Sequence, residues 1–316
     1  MFLLLFGCNL EAPADPSATT EVLFEVPQGA TARGLGDDLA GAGLVAAEWK
    51  WTWFLRLGAD GSCIKAGRHR VSASMPLPEL LNALCGAPVP QDQPFTVPEG
   101  WRARDIDAAL TEKGWITAGA YLEAVRDVAS YQATFPLPQN GSLEGYLYPE
   151  TYRVEPDRFD PKALVQRQLD TFAARFAQGR TFDGRSLHDI VTMASLLERE
   201  EPKPENRSLV AGILWKRLDS GWNLGVDATS RYTLDDWNDR RAFLAKLRDP
   251  EDPWNTRLRQ GLPPTPIGNP GVVALEAAAA PVESAFWYYL HDAEQNLHPS
   301  RNEAEHEAFR RKYNVY

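Results

Sequence analysis

The chain has 316 residues, 44% of them apolar and ten of them tryptophan, enough for two or three packed domains. A formal charge of -10 and an isoelectric point near 5.1 repel nucleic acid and anionic lipid, so neither is expected as a general partner. The five histidines are scattered and no Cys-x-x-Cys or His-Glu-x-x-His spacing occurs, so no metal and no cofactor are expected.

Residues 1–6 are apolar and lead into Gly7 and Cys8, after which residues 9–21 read as a polar, structureless tether. A run this short cannot cross a bilayer, which needs about 20 apolar residues, and no basic leader precedes it. Leu5-Phe6-Gly7-Cys8 resembles a bacterial lipobox, which makes Cys8 the candidate lipid anchor and the N-terminus the expected membrane attachment. A mis-called start codon or a remnant of a longer apolar helix is the alternative, and export by some route is expected. With Cys8 set aside, Cys63 and Cys85 form an even pair. They fit a disulfide in an oxidising compartment or two unpaired cysteines packed as small apolar residues.

Two stretches repeat: FEVPQGATARGLGDDLAGAG from Phe24 and FTVPEGWRARDIDAALTEKG from Phe95, 71 residues apart. Each reads as a short strand, a Pro-x-Gly turn and a helix closed by Gly43 or Gly114. After the first copy, Cys63 to Ser72 reads as a strand and Pro76 to Leu84 as a helix. Residues 22–138 are therefore expected to form a tandem binding or spacing arm, with a mixed α+β domain over 139–316. Neither copy holds a convincing catalytic set.

In LEGYLYPETYRV, from Leu143, Tyr146 and Tyr148 alternate with apolar residues, so they either stack on a sugar or pack a strand, and packing is favoured. Ser186 to Glu201 reads as a helix with Ser186 and Asp189 as a capping box. At about 100° per residue, Leu187, Val191, Ala194 and Glu198 share one face, while His188, Ser195 and Arg199 point outward. A carboxyl at the edge of an apolar surface is favoured in its protonated form, as a general acid requires. Arg207 to Ser220 reads as a second helix closed by Gly221. In the loop beyond it lie Asp227 and Thr229; Asp227 braces backbone or supplies a second carboxylate, and bracing is favoured. Asn255 and Thr256 offer groups that position sugar hydroxyls, and four prolines between Pro263 and Pro270 stiffen a wall beside them. Val272 to Ala280 reads as a helix, and Ala285 to Leu290 as a buried strand.

The series EGYLYPETY, ASLLEREE, RSLVAGILWKRLDSGWNLGVDATSRY, PWNTRLRQGLPPTPIGNPG and SRNEAEHEAFRRKY resembles, in order from about Val22 onward, the endolytic murein transglycosylase (YceG-like) family. The resemblance implies LysM-like units in the N-terminal arm. It also implies cleavage between MurNAc and GlcNAc within peptidoglycan glycan strands, leaving 1,6-anhydro ends, during cell-wall assembly. Glu198 would give a proton to the glycosidic oxygen and then take one from the C6 hydroxyl. Substrate contacts would come from Asp227, Thr229, Asn255, Thr256, Tyr146, Tyr148, Ser300 and His306, with Glu200 as support. The implied setting is the cell envelope, with cell-wall synthases as partners. The chain departs from the family pattern at Gly225, where a Gln is usual, and at Leu297-His298-Pro299-Ser300. A lysozyme-type hydrolase using Asp227 and a non-catalytic wall-binding scaffold are the alternatives.

Overall fold

The computed structural model describes residues 10–89, 92–139, 141–182 and 184–315. The expected anchor Cys8 lies outside them. Among the described residues no helix is long and apolar enough to cross a membrane. The chain divides between residues 91 and 92 into two units.

In the first unit, strand β1 (Val22–Val26) buries Phe24 and Val26 and leaves Leu23 and Glu25 outside, the two-residue period of a half-covered strand. Helices α1 (Leu35–Gly41) and α2 (Glu48–Arg56) follow. Asp60 then accepts a hydrogen bond from the Ser62 N–H at 2.9 Å and bends the chain into a 3-10 turn, Gly61–Cys63. The expected strand over Cys63 to Ser72 therefore shortens to β2 (Gly67–Val71), antiparallel to β1 with Val22 opposite Val71. Helix α3 (Leu77–Cys85) closes the unit over a core of Leu35, Leu39, Trp51, Leu80 and Leu84. Cys63 and Cys85 form a disulfide, their Cα atoms 5.0 Å apart.

The second repeat belongs to the second unit, whereas the sequence expectation places both copies in one tandem module over 22–138. The reason is strand pairing: β1 finds its partner downstream within the first unit. Strand β3 (Gln93–Thr96), by contrast, pairs with β4 (Thr151–Val154), which lies beyond the expected boundary. The copies still share local conformation, since Gly29 and Gly100 both turn at positive φ (78° and 76°) and Gly43 and Gly114 both close helices at φ 69°.

Between β3 and β4 lie α4 (Ala103–Glu112) and α5 (Ala120–Arg126), and after β4 comes α6 (Pro161–Phe172). The next helix, α7 (Leu187–Glu200), starts at the capping box of Ser186 and Asp189 and is buried on every side from Ile190 to Leu197. Ser195 and His188, expected to face solvent, face protein instead: the Ser195 hydroxyl receives the Ile267 N–H at 3.0 Å, and His188 Nδ1 lies 3.0 Å from the Tyr146 hydroxyl. A periodicity argument assumes one wet face, and a central helix has none. Packed with α7 are α8 (Arg207–Asp219), the short α9 (Asp227–Arg231) and, after α10 (Arg240–Lys246), the alanine-rich α11 (Val272–Ala279), whose small residues allow close approach. A hairpin of β5 (Tyr288–His291) and β6 (Leu297–Ser300) and helix α12 (Glu303–Tyr313) complete a mixed α+β chain. The expected buried strand at Ala285 to Leu290 is displaced toward His291, and only Leu290 of it is buried.

Candidate active site

The core of the site is a polar knot that holds three loops together. Asn269, fully buried at the end of the proline-rich loop, accepts the Gly145 and Leu147 N–H groups on Oδ1 at 2.8 and 3.0 Å. Its amide donates to the Trp101 carbonyl at 2.8 Å and to Glu144 at 3.2 Å, and its own carbonyl accepts from Gly100 N at 2.7 Å. The loops meet at glycines because nothing larger fits: a Cβ at Gly268 would lie 2.5 Å from the Gly100 carbonyl oxygen, and one at Gly145 would lie 2.5 Å from Pro266. The VPEG turn of the second repeat is thereby fixed beside the N-terminus of α11.

Glu144 is 3% exposed and accepts from Ala103 N at 3.0 Å, which caps α4, and from the Tyr232 hydroxyl at 3.1 Å. Loss of hydration outweighs these donors and pushes its carboxyl up to about 7. A carboxyl raised above its unfolded value contributes stability that is complete below about pH 4.5 and lost as pH rises through about 7. The amount is on the order of 3 kcal/mol. Denaturant unfolding across this window should show the stability of the parent falling relative to Glu144→Gln as pH rises; a difference that does not change with pH contradicts this assignment.

Glu198 ends α7 beside the knot, and its surroundings differ from the expected apolar edge. Both carboxylate oxygens meet Arg207 of α8, Oε1 at 2.7 Å from Nη2 and Oε2 at 3.2 Å from Nη1, and Oε2 also accepts the Gly271 N–H at 3.0 Å. The side chains are 7% and 6% exposed, so this fork is almost sealed from water. Charge-assisted donors, rather than aliphatic carbon, are what the helix geometry presents to Glu198. Arg207 is itself tied back, donating from Nε to the Glu201 carbonyl at 3.1 Å. Arg199, expected outward, turns in: it donates to the Gly100 carbonyl and lies over the Trp237 ring at 4.2 Å.

A second carboxyl shares the place. Glu99, the acid of VPEG, rests against Gly271 so closely that a Cβ there would collide with its Oε1. Among the described residues no donor hydrogen-bonds it. Loss of hydration and the Glu198 charge push its carboxyl up, opposed by Arg207.

The expected substrate contacts are placed differently. Asn255 is fully buried, its amide donating to the carbonyls of Lys246, Leu247 and Asp249 at 2.9 to 3.2 Å. Thr229 and Thr256 are buried together, their hydroxyls 3.0 Å apart and engaged with the Val226 backbone. All three brace loops. Asp227 pairs with Arg257 on the half-exposed surface at 2.5 Å, and its charge helps raise the Glu200 carboxyl, after the larger effect of burial. Tyr146 and Tyr148 are buried, and the Tyr146 ring stacks on Phe135 at 5.9 Å. Packing, not display, is therefore what the tyrosine alternation encodes. Ser300 is fully buried in β6, opposite Tyr288, and His306 stacks on that same tyrosine at 5.2 Å. His298 meets Asp292 at 2.8 Å and stacks on Tyr313 at 3.9 Å. Glu200 accepts from the Tyr289 hydroxyl at 3.1 Å, which ties the hairpin to α7. The sequence reading missed Glu99, Arg207, Asn269 and Gly271. Their only signal was position, at turn and helix-start residues within the stretches already singled out.

The YceG-like family model matches residues 24–312. The chain is 25% identical over 326 residues to the endolytic murein transglycosylase of Bacillus subtilis (strain 168), spanning 98% of this chain and 89% of that protein. It is also 25% identical over 325 residues to the endolytic murein transglycosylase of Streptococcus pneumoniae serotype 2, spanning 93% of this chain but 59% of that longer protein. A crystal structure of a YceG-like protein from Listeria monocytogenes aligns with a TM-score of 0.61 at 22% identity, covering 92% of this chain and 99% of that one, a likeness of fold alone. With all but the ends of the sequence matched by one family model, the chain belongs to the YceG-like family.

Proposed function

We propose that this protein is a lytic transglycosylase that cuts peptidoglycan glycan strands internally, between MurNAc and GlcNAc, and leaves 1,6-anhydro-MurNAc ends. The observation that carries this reading is the aimed carboxylate of Glu198, gripped on both oxygens by Arg207 and by the Gly271 N–H at the end of α7. In the reaction the C6 hydroxyl oxygen bonds to C1 as the C1–O4 bond breaks, and the hydroxyl proton ends on the departing GlcNAc oxygen. No water is consumed. An ionised Glu198 is suited to accept the C6 proton, and its fixed partners remove the freedom that a loose carboxylate would have to lose in the transition state. Names of similar proteins support the substrate class.

The Cys63–Cys85 disulfide supports a place outside the cytoplasm, since such bonds persist in oxidising compartments. The first unit would serve as the LysM-like wall-binding arm, and attachment through the N-terminus would keep the enzyme near cell-wall synthases.

Glu198→Gln tests the reading. It keeps the shape of the fork but cannot take a proton, so release of anhydro ends from uncrosslinked glycan should fall by about 10²- to 10⁴-fold. Parent-like activity of the purified variant would take Glu198 out of the reaction and overturn this assignment.

A further inference from the structure

The buried fork around Glu198 raises a question of proton supply. A carboxylate bound to a guanidinium and an amide N–H is poorly placed to begin the reaction as an acid, because both partners interact with its charged form. The departing oxygen nevertheless needs a proton at the moment the bond breaks. Resting on the lytic reading above, we propose that Glu99 is a second catalytic residue: it delivers the proton to the bridging oxygen, while Glu198, ionised against Arg207, takes the proton of the C6 hydroxyl.

Geometry supports this division of labour. The two carboxyls flank a single residue, Glu99 packed on Gly271 and Glu198 bonded to its N–H. Glu99 is an exposed residue, whereas the Glu198 side chain shows only an edge, so Glu99 is the better placed to meet an incoming strand. The groups facing Glu99 are Glu198 from α7, Arg207 from α8, Tyr148 from the loop before β4 and the N-terminus of α11 at Gly271. Neighbouring carboxyls disfavour each other's ionisation, and of the two it is Glu99 that has no cation hydrogen-bonded to it, which makes it the better holder of a proton. The direction of the Glu99 shift agrees. The cycle balances: Glu99 loses a proton to O4, Glu198 gains one from the C6 hydroxyl, and passage of that proton from Glu198 to Glu99 restores the start.

The test compares Glu99→Gln and Glu198→Gln in the full chain on uncrosslinked glycan strands and on a 4-nitrophenyl glycoside of an N-acetylmuramyl oligosaccharide, whose leaving group needs little acid. The expected result for Glu99→Gln is a kcat on glycan lower by about 10²- to 10⁴-fold with KM nearly unchanged, loss of the alkaline limb of the pH profile, and a much smaller loss on the aryl substrate. An equal loss on both substrates would mark Glu99 as merely structural and overturn the proposal. Parent-like activity of Glu99→Gln beside an inactive Glu198→Gln would also overturn it while leaving the lytic reading in place. Parent-like activity in both variants would overturn this proposal and the assignment of Glu198 alike. If Glu99→Gln fails to fold, carbon-13 NMR of glutamate-labelled parent protein, assigned with Glu99→Asp, decides: titration of Glu99 above the ordinary glutamate range is expected, and an ordinary titration overturns the proposal.

Discussion

Arg207→Ala should lower the unfolding free energy by about 3–5 kcal/mol and abolish glycan cleavage. The size follows from burial: both members of the Arg207–Glu198 pair are more than nine-tenths covered, so removing the cation leaves a carboxylate in the interior with the Gly271 N–H as its remaining hydrogen-bond donor among the described residues. An exposed pair such as Asp227 with Arg257 would cost no more than about 1 kcal/mol under the same treatment, because water already screens it. The double mutant Arg207→Ala with Glu198→Ala should recover part of the loss, since the stranded charge is then gone. Denaturant unfolding of the four proteins measures this cycle. A single-mutant loss under about 1 kcal/mol would show that water reaches the fork and that Glu198 is not held as described.

Asn269→Ala should be as damaging, at about 3–5 kcal/mol, although it removes no charge. Truncation leaves the buried Gly145 and Leu147 N–H groups without their acceptor and removes the amide donors to Trp101 and Glu144. Each buried amide left unmade costs about 1–3 kcal/mol. Because the knot fixes the turn bearing Glu99 beside Gly271, activity should fall further than the loss of folded protein explains. Asn269→Asp keeps both acceptors and loses the donors while setting a second carboxyl against Glu144, so its defect should ease at acid pH. Full activity in a folded Asn269→Ala protein would show that the loops hold their positions by other means.

Local chemistry was well written in the sequence. The capping box at Ser186, the helix-closing glycines and the internal repeat all reappear, because each depends on a few neighbouring residues. What spacing could not supply was the partner of each element. The two copies of the repeat have nearly the same strand and turn, yet β1 pairs within its own unit and β3 pairs with a strand drawn from beyond Pro149. The same limit governs the site. Glu198 was legible as a carboxyl on a helix, but helical angle predicted an apolar surround, and the residues that complete it come from the start of α8, the start of α11 and the VPEG turn. Asn255, Thr256 and Thr229, which the family resemblance points to as sugar contacts, hold backbone in this structure, as buried amides and hydroxyls must.

In the proposed reaction the glycan bond breaks without water. Mass spectrometry of the ends released from uncrosslinked strands by the purified parent protein tests it most directly. Ends lighter by one water, in the 1,6-anhydro form, are the predicted product; reducing ends carrying that water would make the protein a hydrolase.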